Sequence, residues 1–165
     1  MCWSVRCIGY GNREIVMYYK VMQVDRGELY SSQVVGRYCV KYIPDIPAQA
    51  PIGKLFVYKT LEKAAFYYNG MAVGRPFRFQ VWKCEVTQPS LARPVPWIRR
   101  QEAGSLARYW DGSCIKHWED WPIGSMISMR DPGIIVKTVT LVSQVPYEVV
   151  WDAGGFVLPK ASDVS

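Results

Sequence analysis

Residues 55–68 read LFVYKTLEKAAFYY, and this stretch decides the fold class. Leu55–Tyr58 is a short apolar run of strand character. Thr60 follows with a hydroxyl that can accept from an otherwise orphan N–H at a helix start. Glu62 then sets a negative charge in the first turn, where the helix dipole favours it. Leu61, Ala64, Ala65 and Tyr68 recur at i, i+3, i+4 and i+7, one apolar face at the helical period. Asn69-Gly70 predicts the stop. A strand feeding straight into a helix that needs a sheet to lie on predicts an α+β domain.

Outward from this segment the chain reads mainly as strands. MYYKVMQVD (17–25) is aromatic and β-branched, closed by an Asp25-Arg26-Gly27 turn. Glu28–Val35 and Arg37–Ile43 follow as two strands separated by Gly36. In the second, Tyr38, Val40 and Tyr42 share one face, with Cys39 and Lys41 on the other. Pro44, Pro47 and Pro51 then predict a loop. Downstream, Phe77–Val86 shifts its apolar phase by one residue, from Phe77, Phe79 and Val81 to Trp82, Cys84 and Val86. Such a shift predicts a β-bulge or a strand buried on both faces. Ile134–Val145 reads as one long strand ended by Pro146. Tyr147–Trp151 and Phe156–Leu158, around Asp152–Gly155, read as a hairpin. The sum is a mostly antiparallel sheet of six to seven strands, one clear helix packed on it, and a loop-rich insertion.

A chain of 165 residues suits one domain. Residues 17–158 form it, 1–16 are an N-terminal extension and 159–165 a flexible tail. The insertion is 87–131, punctuated by Pro89, Pro94, Pro96 and Pro122, with one short helix around Gln101–Trp110. Half the residues are hydrophobic and 21% charged, which excludes wholesale disorder. The five cysteines are odd in number and widely spaced, without a C-x-x-C pair, unlike a secreted disulfide scaffold. Residues 1–16 lack the apolar run of a signal peptide, and no stretch has the roughly 18 apolar residues that span a bilayer. A soluble protein of a reducing, intracellular compartment, the cytoplasm, is expected, with no membrane partner.

Motifs for chemistry are sparse. Cys114-x-x-His117 has ligand-like spacing, but a structural zinc site uses four ligands and the chain has one histidine. Cys39 and Cys84 read as small buried hydrophobes within strands. A Cys-His nucleophile would have to use His117, in DGSCIKHWEDW, where no nucleophile elbow stands. Glu119-Asp120, adjacent in sequence, point apart and read as solvated. No phosphate-cradling G-x-x-x-x-G-K-[ST] loop and no G-x-G-x-x-G occurs. No catalytic residue, metal or cofactor is expected.

The candidate surface lies in 93–118, RPVPWIRRQEAGSLARYWDGSCIKHW. Arg93, Arg99, Arg100, Arg108 and Lys116 alternate there with Trp97, Tyr109, Trp110 and Trp118. Four of the seven tryptophans, the fourth being Trp121, fall within 25 residues, and the formal net charge is +6 with a pI near 9.1. Three readings fit. Arginine and tryptophan make protein–protein hot spots; the same pair supplies phosphate contacts and base stacking for nucleic acid; or the rings cover an open end of the sheet while the arginines solvate it. A protein partner, or a second copy of the chain, is the leading functional expectation, with nucleic acid the alternative.

Two resemblances follow from these residues. The order Tyr19–Val21, Leu29–Ser32, Tyr38–Tyr42, Leu55–Ala64 and Val81–Val86 resembles small domains encoded by phages and large DNA viruses, over roughly residues 17–145. It implies a non-enzymatic viral accessory or structural protein and carries no site residues. The T-x-E-x-A helix (Thr60–Ala64) followed by the V-x-x-x-E-V strand (Val81–Val86) is also similar to ADP-ribosyltransferase-like folds, which implies NAD chemistry. One branch of that family needs a histidine on an early strand, which this chain lacks. The other needs arginine, serine and a late glutamate; Arg26, Ser31 or Ser32, and Glu148 stand in that order, without the family's E-x-E.

Overall fold

The computed structural model describes residues 15–32, 34, 36–91, 107, 110, 111 and 133–155. It is an α+β fold in three layers. A six-stranded antiparallel sheet runs through the middle, two helices cover one face, and a small three-stranded sheet covers the other. The strands are β1 (Tyr18–Asp25), β2 (Glu28–Ser31), β3 (Lys41–Tyr42), β4 (Ala48–Gln49), β5 (Leu55–Val57), β6 (Phe79–Thr87), β7 (Ser90–Leu91), β8 (Ile134–Val136) and β9 (Thr138–Val145). The large sheet runs β3-β2-β1-β6-β9-β4 and the small one β5-β8-β7. Both edges of the large sheet are only two residues long, which leaves little unpaired backbone to recruit another strand.

β1 and β2 form a tight hairpin in which Asp25 pairs with Glu28. Its central residues Arg26 and Gly27 both have positive φ, the primed turn that matches strand twist. Helix α1 (Leu61–Ala72) starts as expected, with the Thr60 hydroxyl accepting from Lys63 N–H at 3.3 Å. Ala64, Ala65, Tyr68 and Ala72 are buried with Val21 of β1 and Val81 of β6; the two alanines keep the helix close to the sheet. The Tyr68 hydroxyl donates to the Pro76 carbonyl at 2.6 Å, tying α1 to the turn after it. The other face of the sheet buries Met22, Leu29, Tyr42, Cys84 and Leu141 against Leu55, Val57 and Val136 of the small sheet.

Several expectations change. Asn69-Gly70 does not end α1, because Met71 and Ala72 pack on the sheet and carry the helix past them. Glu28–Val35 shortens to Glu28–Ser31. Arg37–Ile43 becomes a 3-10 turn, Gly36–Tyr38, and the two residues of β3, so Cys39 lies outside any strand. The proline-rich loop contains β4, which its prolines flank. Ile134–Val145 is two strands in different sheets, divided at Lys137, whose N–H donates to the Thr87 carbonyl at 2.9 Å. The apolar phase of the Phe77–Val86 run reflects a strand buried on both faces, Phe79 and Val81 toward the helices and Trp82, Cys84 and Val86 toward the small sheet. The bulge lies in its partner, at Val142 of β9 opposite Lys83 and Cys84, and β6 itself begins at Phe79 after a 3-10 turn.

The largest correction is at the C-terminal end. Tyr147–Trp151 is no hairpin strand but part of helix α2 (Tyr147–Gly154). Pro146 starts it, Gly155 ends it at φ 71°, and Val150 and Trp151 pack on α1, the Trp151 ring edge-on to Tyr68 at 6.0 Å. Residues 1–14 of the 1–16 extension, most of the insertion, and Phe156–Leu158 with the tail lie outside the described residues.

Candidate functional site

β1 is buried on both faces, and its alternation puts Lys20 in step with Met22, facing the small sheet. The lysine is 9% exposed. Its Nζ donates to the Phe56 carbonyl of β5 at 2.7 Å and stands 5.4 Å from the centre of the Tyr42 ring. Burial pulls its pKa down from 10.5 to about 8, against a small opposing pull from Cys84. Burial likewise pushes the Cys84 thiol up to about 12 and the Tyr42 phenol well above its ordinary value. Lys41 forms an ion pair with Glu28 at 2.7 Å on the surface; Lys20 has none among the described residues.

Lys20, itself buried, lines an open cleft. Its polar lining comes from Lys20, Ser31, Ser32, Tyr38, Lys54 and Tyr58, and its apolar walls include Val40, Ile52, Leu55 and Phe56. No carboxylate stands among these described lining residues. The serine hydroxyls are engaged with backbone: Ser32 donates to the Val21 carbonyl at 2.8 Å, and Ser31 accepts from Val40 N–H at 3.1 Å. The arrangement therefore offers positive charge and apolar walls rather than an activated nucleophile. The cleft exists because β2 covers only the second half of β1. The first half is flanked instead by Ser32 and by Tyr58, which exchanges two backbone hydrogen bonds with Tyr19 at 2.8 and 2.9 Å.

Of the surface expected from the sequence, Trp110 is described. Its ring lies 5.8 Å from Phe56, tilted by 43°, and rests on the backbone of Gly53. Gly53 has φ +62°, and a Cβ there would overlap the indole, so this position requires glycine twice over. Ile52, Lys54 and Phe56 all line the cleft. Trp110 thus packs on the residues that form the cleft's outer wall. Arg93, Trp97, Arg99, Arg100, Arg108, Tyr109, Lys116 and Trp118 lie outside the described residues, as do Cys114 and His117. Ala107, Trp110 and Asp111 are helical, in keeping with a short helix near 101–110.

Other expectations are placed as follows. Cys84 is fully buried and Cys39 half-buried, and no group of three metal-ligating side chains occurs among the described residues. No described helix is long and apolar enough to cross a membrane. Ser31 shares the small-sheet face with Leu29, whereas Glu148 is in the first turn of α2 on the opposite face, so the arginine–serine–glutamate set of a transferase is not brought together. On the outer face of α1, Phe66 and Val73 are 68% and 74% exposed.

Sequence reasoning passed over Lys20. The signal was a lysine in step with Met22 and Val24 in the middle of an apolar strand. No protein family, curated protein or solved structure matches the chain.

Proposed function

We propose that the protein is a non-enzymatic interaction protein that binds an acidic protein partner through the segment 93–118 and the cleft rim beside it. The observation that carries this reading is the seat of Trp110 on Gly53 and Phe56. Trp110, from a stretch whose sequence is rich in arginine and tryptophan, sits beside a cleft that presents Lys20 and Lys54 and no described carboxylate. Arginine and tryptophan on a fixed support are what interface hot spots use, and like-signed positive groups select a negative partner. The likeness to phage and large-virus domains fits an accessory or structural role in an infected cell or virion, in a reducing compartment.

Selection of random peptides on the immobilised protein tests this reading. An enriched consensus of Asp or Glu with an apolar residue is expected, and Arg99→Ala/Arg100→Ala should weaken the selected peptides at least tenfold. No consensus, or a neutral or basic one, overturns the reading. Retardation of duplex DNA at low salt that the same double variant abolishes would replace it with nucleic-acid binding.

A further inference from the structure

We infer that the cleft above Lys20 is a binding site for a small carboxylate with an apolar body, the carboxylate meeting the Lys20 ammonium and the body lying along Ile52, Leu55 and Phe56. This inference does not need the partner reading, since it rests on the floor of the cleft and not on residues 93–118. Three observations carry it. The first is a lysine more than nine-tenths buried, lining an open cleft, with one hydrogen bond to the Phe56 carbonyl and no ion pair among the described residues. An ammonium has three donors, so one bond leaves it under-used, and buried charges are ordinarily paired. The second is charge: Lys54 joins Lys20 in the lining, with no described acid to balance either. The third is wall chemistry. A phosphate would call for several converging donors, but the two serine hydroxyls are engaged with Val21 and Val40. One buried positive charge above apolar walls matches a monoanion with a hydrocarbon or aromatic body.

The groups that face Lys20 from the surrounding elements are Tyr42 of β3, Cys84 of β6, the Phe56 carbonyl of β5 and, in the cleft lining, Lys54. Burial holds both the phenol and the thiol neutral at physiological pH, so neither supplies the missing negative charge. A bound carboxylate would, and it would return the ammonium toward its ordinary basicity.

The test titrates octanoate, octanol and inorganic phosphate separately into the protein by calorimetry. Octanoate should bind and the other two should not. Its affinity should be roughly eightfold weaker at pH 9 than at pH 7.5, because the free protein loses the Lys20 proton in that window. Lys20→Met should lose binding at least tenfold while keeping the fold by circular dichroism. Val34→Trp, which narrows the cleft and leaves the lysine in place, should lose it too. Equal binding of octanol, binding of phosphate instead, no binding of octanoate, or binding unchanged in either variant would each overturn the inference. Arg99→Ala/Arg100→Ala should leave octanoate affinity within twofold, which separates this result from the fate of the partner reading.

Discussion

Replacing Lys20 by methionine should stabilise the protein at neutral pH and lose that advantage at alkaline pH. The lysine's pKa falls from 10.5 to about 8 on folding. At roughly 1.4 kcal/mol per unit, holding it charged in the fold costs about 3 kcal/mol relative to the unfolded chain. The cost is fully present below pH 8, where both states carry the proton. Between pH 8 and 10.5 the folded state has released the proton that the unfolded chain still binds, so stability rises with pH. Methionine fills similar volume without charge, and gives up the hydrogen bond to the Phe56 carbonyl, a loss of about 1 kcal/mol. The variant should therefore lead by about 2 kcal/mol at pH 7, or roughly 4–8 °C in Tm. By pH 10 under about 1 kcal/mol of the lysine's cost remains, and the two proteins should be level. Urea denaturation followed by tryptophan fluorescence at both pH values measures this, and other titrating groups cancel in the difference. A variant more than about 1 kcal/mol less stable at pH 7, by the same margin at pH 10, would refute the argument, because it would mean that the fold holds the ammonium as well as water does.

Three further outcomes follow from local geometry. Gly53→Ala should cost about 1–3 kcal/mol, from positive φ and overlap with Trp110, whereas Gly70→Ala, in the body of α1 with open space around it, should gain about 0.5–1 kcal/mol; thermal melts of the pair decide whether the two glycines differ in this way. Thr60→Ala removes the cap on Lys63 N–H and should cost about 1 kcal/mol, with Thr60→Asp restoring it. Tyr68→Phe leaves the Pro76 carbonyl without its 2.6 Å donor and should cost about 1–2 kcal/mol in chemical denaturation.

The sequence was most legible where local signals and tertiary packing agree. Thr60, Glu62 and the Leu61–Tyr68 face each announce α1, and the phase change between Val81 and Trp82 announces a strand buried on both faces. It misled where packing overrides local preference. YEVVW has strand composition, yet Pro146 and Gly155 delimit a helix whose Val150 and Trp151 find α1 as a surface to lie on. An unbroken β-branched run could not show that its chain changes sheets at Lys137, because alternation is the same in either sheet. Lys20 was hidden for a related reason. Both faces of β1 are covered, one by helices and one by the small sheet, so a polar residue on either face reads as solvent-facing until the second layer is known.

The pairing of β7 with β8 has a consequence for how this chain tolerates change. Ser90 and Leu91 pair with Ile135 and Ile134, so the backbone leaves the scaffold and rejoins it on adjacent strands, about 5 Å apart. Whatever length of chain lies between those two points, its ends meet the scaffold as neighbours. Closing such a connection grows costlier only slowly, by about 0.6 kcal/mol for each doubling of its length. The two ends of the segment that carries Trp110 are therefore held side by side. Exchanging it for a short turn should spare both sheets and both helices, and it is the place where this architecture can acquire a new partner without relearning how to fold.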